Sequence, residues 1–125
     1  MSGFNINIEK KTLDNENFRE VLFTAKNSQL VIMALQPGEE IGMETHPDHD
    51  QFIRVEAGVG KAFIGGEESE LEDGSAIVIP AGAEHNVINT SETDKMKLYT
   101  IYSPPEHANG TIHATKAEAD ASEHH

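Results

Sequence analysis

Turn-forming residues recur along this chain at short intervals, and their spacing constrains the fold more than any other feature. Pro37-Gly38, Gly58, Gly60, Gly65-Gly66, Asp73-Gly74 and Pro80-Ala81-Gly82 separate stretches in which apolar and polar residues alternate. Alternation with a period of two is what a strand with one face turned to a core requires. In residues 51–56, Gln51, Ile53 and Val55 fall on one face, and Phe52, Arg54 and Glu56 on the other. Read the same way, residues 18–25, 29–36, 61–64, 67–71, 76–79, 85–89 and 96–102 are strands. Gly65-Gly66 fits a two-residue hairpin loop between two of them. Eight or more strands at spacings of roughly 8–12 residues predict an all-β sandwich or barrel, not βαβ units. No segment carries a helical period until the tail, where the Ala- and Glu-rich residues 116–122 are expected to form a short helix. Residues 103–113, with Pro104-Pro105 and Asn109-Gly110, read as a loop. The expected organisation is one β domain over residues 1–115 and a tail over 116–125, with His124 and His125 solvated and outside any site.

Charge and composition narrow the function. A length of 125 residues suits one core. The longest apolar runs, such as residues 76–79, fall far short of the roughly 20 residues a membrane-spanning helix needs. Residues 1–10 alternate polar and apolar side chains, unlike a secretory signal. Cysteine is absent, which excludes disulfides, thiolate zinc sites and thiol nucleophiles, and fits a cytoplasmic protein. A formal net charge of −13 argues against nucleic acid and anionic membranes as partners and does not by itself select a substrate. No phosphate-binding glycine loop and no nucleophile elbow occur. The two arginines are Arg19 and Arg54; Arg54 faces outward on the alternation, so an anionic substrate would rely on a metal or on lysines.

Two clusters carry chemistry: residues 38–58, with Glu44, His46, His49 and Gln51, and residues 74–89, with His85. Glu44 and His46 are two apart and share a face if the chain is extended there. Gln51 shares its face with Ile53 and Val55, and His85 shares its face with Val87. In a small barrel, facing strands can bring Glu44, His46, Gln51 and His85 into one cavity. Their imidazole, carboxylate and amide donors suit divalent Mn, Fe, Ni, Co or Zn, and two histidines with one carboxylate have the composition of a non-haem iron triad. His49, in the turn 47–50, reads as solvated, and His107 and His113 read as surface residues of the late loop.

The second cluster resembles the cupin family. That family's second motif is G-x5-P-x-G-x2-H-x3-N, and Gly74, Pro80, Gly82, His85 and Asn89 match it throughout. Of the first motif, G-x5-H-x-H-x3-4-E-x6-G, Gly38, His46 and Gly58 match, while Glu44 stands at the first histidine and Gln51 at the glutamate. Residues 50–52 and 97–107 are similar to a group of small bacterial cupins of unassigned reaction. The resemblance implies a double-stranded β-helix, or jelly roll, holding one divalent transition metal per chain on His46, Gln51 and His85, with Glu44 as a further ligand or as a catalytic base. The exchanged positions leave two histidines and one carboxylate, so the formal ligand charge equals that of three histidines and one glutamate.

Three functions follow as expectations: a metal-dependent isomerase, lyase or dioxygenase acting on a small polar metabolite; a metal- or small-molecule-binding module without turnover; and a metal-free acid–base enzyme using His46, His85 and Glu44 on a sugar. A homodimer is also expected, because Phe52 lies opposite the inward face of its strand and Phe18 and Phe23 sit in early strands open to pairing.

Overall fold

The computed structural model describes residues 2–123. Its elements are α1 (Ile8–Asp14), β1 (Arg19–Thr24), β2 (Gln29–Leu35), β3 (Asp50–Ala57), β4 (Gly60–Ile64), β5 (Glu67–Leu71), β6 (Ala76–Ile79), β7 (His85–Asn89), β8 (Met96–Ser103), β9 (Ile112–His113) and α2 (Lys116–Glu123). The strands form a six-stranded antiparallel sheet in the order β6-β3-β8-β2-β1-β9 and a three-stranded sheet in the order β5-β4-β7. Residues 39–44 run beside β7, with bridges at Glu40–Ile88 and Glu44–His85. Two such sheets around one core make a double-stranded β-helix. Among the described residues, no helix is long and apolar enough to cross a membrane.

Strand register explains the core. On the inner face of the large sheet, Ile53, Thr100, Val31 and Val21 line up across four strands, followed by Val55, Leu98 and Met33. Ala62, Leu71 and Val87 of the small sheet pack into the same cluster. Each branched side chain buried there contributes about 1.5–3 kcal/mol. The same register makes the next inward row polar: Gln51, Tyr102 and Gln29 stand side by side. The apolar filling therefore stops one row short of that end of the barrel.

Three features depart from the sequence reading. The N-terminal segment contains α1, capped by Asn7, whose side chain accepts from the Lys10 amide at 3.0 Å. This helix packs against β8 and β3. The chain after it is tied to the outer face by Lys97, whose ammonium donates to the Asn15 carbonyl and to Glu16. Within the expected loop 103–113, Ile112 and His113 pair with Glu20 and Arg19 as β9. Phe18, expected to be open for pairing, is buried in the core; Phe23 and Phe52 are half-buried. The tail forms α2 where a helix was expected, and its Ala119 is buried. His124 and His125 lie outside the described residues.

Candidate metal centre

The polar row at the end of the barrel holds Gln51, 4% exposed. Its amide nitrogen donates to Thr100 Oγ1 at 3.0 Å, which fixes the plane of the amide. Its Oε1 is buried and has no hydrogen-bond partner. A buried amide oxygen left unsatisfied costs about 1–3 kcal/mol, so a cation or a hydrogen-bond donor at that oxygen would remove a real penalty. Gln51 belongs to the large sheet. Glu44 and His85 come from the other sheet, as direct neighbours: the Glu44 amide donates to the His85 carbonyl at 2.8 Å, and the His85 amide to the Glu44 carbonyl at 2.9 Å. A doubly bonded antiparallel pair directs both side chains to one face.

His85 is 4% exposed, and its Nδ1 lies 2.9 Å from the Ala83 carbonyl. A carbonyl only accepts, so Nδ1 carries the proton and Nε2 keeps a lone pair, the tautomer a metal-binding imidazole needs. The His46 ring stands 5.2 Å from the His85 ring and 5.9 Å from Tyr102, centroid to centroid. Its Nε2 is 3.5 Å from Glu44 Oε2, and its Nδ1 is 3.7 Å from Glu106 Oε2. The loops carrying these residues are stitched together. Gly82 donates to the His46 carbonyl at 2.9 Å, and Ala81 donates to Asp50 Oδ1 at 2.9 Å. Gly82 holds φ 87°, a left-handed conformation that favours glycine. Asn89, the last residue of the second motif, is a structural clamp: its amide donates to the carbonyls of Leu35, Gln36 and Asp94.

The structure thus brings Glu44, His46, Gln51 and His85 to one end of the barrel. Among the described residues, no three His, Cys, Asp or Glu side chains are placed to hold a metal ion between them. The donor set nevertheless fits a divalent ion in kind: one imidazole with a bare nitrogen, one imidazole beside it, a carboxylate, and an orphaned amide oxygen.

The three remaining histidines depart from expectation. His49 is engaged, with Nδ1 2.7 Å from the Pro104 carbonyl and Nε2 2.9 Å from Glu106 Oε2. His107 packs edge-on against Tyr102 at 5.2 Å, and its Nε2 is buried, as is Nδ1 of His113. Burial, then the charge of Arg19 and the neighbouring His113, His46 and His49, lower the His107 pKa to about 3. The loop folds inward because Gln29, 1% exposed, clamps it. The Gln29 amide nitrogen donates to the His107 carbonyl at 2.7 Å, and its oxygen accepts from the amides of Glu106 and His107 at 3.1 and 2.9 Å. Thr100, Glu106 and Gln29 were missed in the sequence. The position of Gln29 at the head of an apolar strand was a signal, since a polar side chain there on the inward face needs partners.

A double-stranded β-helix with histidines gathered at one end of the barrel defines a cupin. The chain matches the cupin domain family over residues 31–102 and belongs to it. The uncharacterized protein YrkC of Bacillus subtilis is 48% identical over 126 residues, covering 96% of this chain and 67% of YrkC. The uncharacterized protein L612 of Acanthamoeba polyphaga mimivirus is 44% identical over 120 residues, covering 94% of this chain and 75% of that protein. The crystal structure of BH2720 from Bacillus halodurans is 46% identical, covers 96% of this chain and 95% of its own, and superposes with a TM-score of 0.93.

Proposed function

We propose that this cupin binds one divalent transition metal per chain and uses it to turn over a small polar metabolite. His46, His85 and Gln51 are the ligands in this reading, and Glu44 is either a fourth donor or the base. The observation that carries it is the Gln51 amide, held by Thr100 so that its buried oxygen is left without a partner. The fixed Nδ1–H tautomer of His85 supports it. When bound, such a metal polarises a carbonyl or hydroxyl oxygen of the ligand. The chain's own groups do the rest: Glu44 and His46 stand close enough to pass a proton, and Tyr102 and His107 wall the ligand off from solvent.

The experiment is metal analysis of protein purified without a metal column. It is followed by titration of chelator-treated protein with Mn, Fe, Co, Ni and Zn, and by a metabolite panel for turnover. About one equivalent should bind, and His85→Ala should abolish it, because the proposed imidazole ligand whose Nδ1–H is held by the Ala83 carbonyl is lost. No retained metal and no uptake at micromolar concentrations overturns the metal reading. In that case the Glu44–His46 pair, 3.5 Å apart, favours the metal-free acid–base reading. Metal uptake with no turnover favours a binding module. We also read the protein as a homodimer through the outer face of the large sheet.

A further inference from the structure

Each nitrogen of the His46 ring faces a different carboxylate. Nε2 lies 3.5 Å from Glu44 Oε2, and Nδ1 lies 3.7 Å from Glu106 Oε2. The two acids come from separate parts of the molecule. Glu44 is bridged to His85 and stands with the candidate ligands. Glu106 lies outside both motifs and beyond residues 31–102, which match the cupin domain. Its place is fixed from two directions. Gln29, rooted in β2, accepts from the Glu106 and His107 amides at 3.1 and 2.9 Å and donates to the His107 carbonyl at 2.7 Å. On the other side His49 bridges side chain and backbone: its Nε2 is 2.9 Å from Glu106 Oε2, and its Nδ1 is 2.7 Å from the Pro104 carbonyl. The oxygen that His49 holds is the same one that faces His46.

We propose that Glu106 is a positioning residue of the metal centre: its carboxylate keeps the proton of His46 on Nδ1 and leaves the Nε2 lone pair, on the Glu44 side, for the ion. The proposal rests on the reading of His46 as a ligand. A neutral imidazole carries one N–H, and only its bare nitrogen binds a metal. In His85 the Ala83 carbonyl, 2.9 Å from Nδ1, makes that choice. In His46 the acceptor on the same nitrogen is Glu106. At 3.7 Å the contact is longer than a hydrogen bond and acts through charge. Both side chains are mostly buried, 12% and 27% exposed, so solvent ions screen that charge less than at the surface. Glu44 attracts a proton to Nε2 in the same way, and a divalent ion beside Glu44 takes that proton's place. Glu106 then has no competitor for the proton on Nδ1. Glu106 is not itself a ligand in this arrangement, because it lies at the ring nitrogen turned away from Glu44.

The test titrates chelator-treated full-length protein with Mn, Fe, Co, Ni and Zn, and follows the histidine rings of the Zn-loaded form by nitrogen NMR. Glu106→Gln keeps the shape of the side chain and its reach to His49 and removes the charge. Affinity for the ion that the parent binds most tightly is expected to fall about 10–100-fold, with the number of ions per chain unchanged. In the Zn-loaded variant the Nδ1 proton of His46 should exchange with water faster than in the parent. That of His85, held by the Ala83 carbonyl, should exchange as before. A role in closing the loop alone leaves both protons as they are in the parent. Unchanged affinity in Glu106→Gln, binding of Zn through Nδ1 of His46, or complete loss of the ion as expected for His85→Ala overturns the proposal. If Glu106→Gln does not fold, Glu106→Ala replaces it, and unchanged affinity there overturns the proposal equally. A parent that takes up none of the five ions overturns the metal reading and this proposal with it. A parent that binds one, with the variant binding as tightly, overturns this proposal alone.

Discussion

Thr100 is fully buried in the middle of β8, and its hydroxyl accepts from the Gln51 amide and orients it. Thr100→Val keeps the shape and removes that hold. Metal affinity should fall by about 10–100-fold in a Mn or Co titration, as is usual when the partner that orients a ligand is lost. A variant that binds as tightly as the parent would place Gln51 outside the ligand set. His107 gives a second expectation. Its folded pKa of about 3 lies below the ordinary value near 6.5. As pH falls below about 6.5, the unfolded chain takes up a proton that the folded chain refuses, so stability present at neutral pH is lost progressively toward about pH 3. Between pH 7 and about pH 4.5 this single group accounts for roughly 2–3 kcal/mol. Urea unfolding at the two pH values should show a smaller loss in His107→Gln than in the parent. At this scale the sequence was partly legible. Glu44, His46, Gln51 and His85 fall within two short stretches, so local spacing reveals them. Thr100, Glu106 and Gln29 reach the site through strand pairings and a clamped loop far away in sequence, and spacing does not encode those.

The strands were legible as elements because glycine and proline bound them and alternation fills them. The two misses have physical causes. Helix α1 has seven residues, too few to display a 3.6-residue period, and is held by its Asn7 cap and by packing on β8 and β3. Strand β9 has two residues and exists only through its pairing with β1. The small sheet ends on β5, where Glu67, Glu68, Ser69 and Glu70 are exposed, a charged edge that resists strand addition. Its centre is tight. A methyl group added at Gly60 would fall 2.2 Å from the Ile88 carbonyl oxygen and 2.4 Å from Met96 Cε. The carbonyl belongs to the β4–β7 pairing and cannot swing aside, so Gly60→Ala should destabilise by about 3 kcal/mol or more in denaturant unfolding. A loss under about 1 kcal/mol would show that the two strands separate easily.

At the scale of the whole molecule, the outer face of the large sheet carries an apolar row across five strands: Val78, Phe52, Ile101, Leu30 and Phe23 are successive register partners. Val78 is 66% exposed and the others half-buried, while Phe4 stacks on Phe23 at 5.2 Å. A continuous row of this kind on a highly charged protein is expected to be covered by a second copy. Sedimentation should give twice 13.7 kDa at micromolar concentration, and Val78→Glu should shift the population toward the monomer. A parent that sediments as a monomer contradicts this. The Gln29 clamp has a consequence of another kind, for the time the site spends closed. Residues 106 and 107 have no regular secondary structure, yet their amides are bonded to a side chain rooted in β2. They can exchange with deuterium only when that buried side chain lets go, so their exchange lifetimes should match those of the central strands and exceed those of residues 108–110. One side of the site would then be a loop by shape and part of the sheet by kinetics.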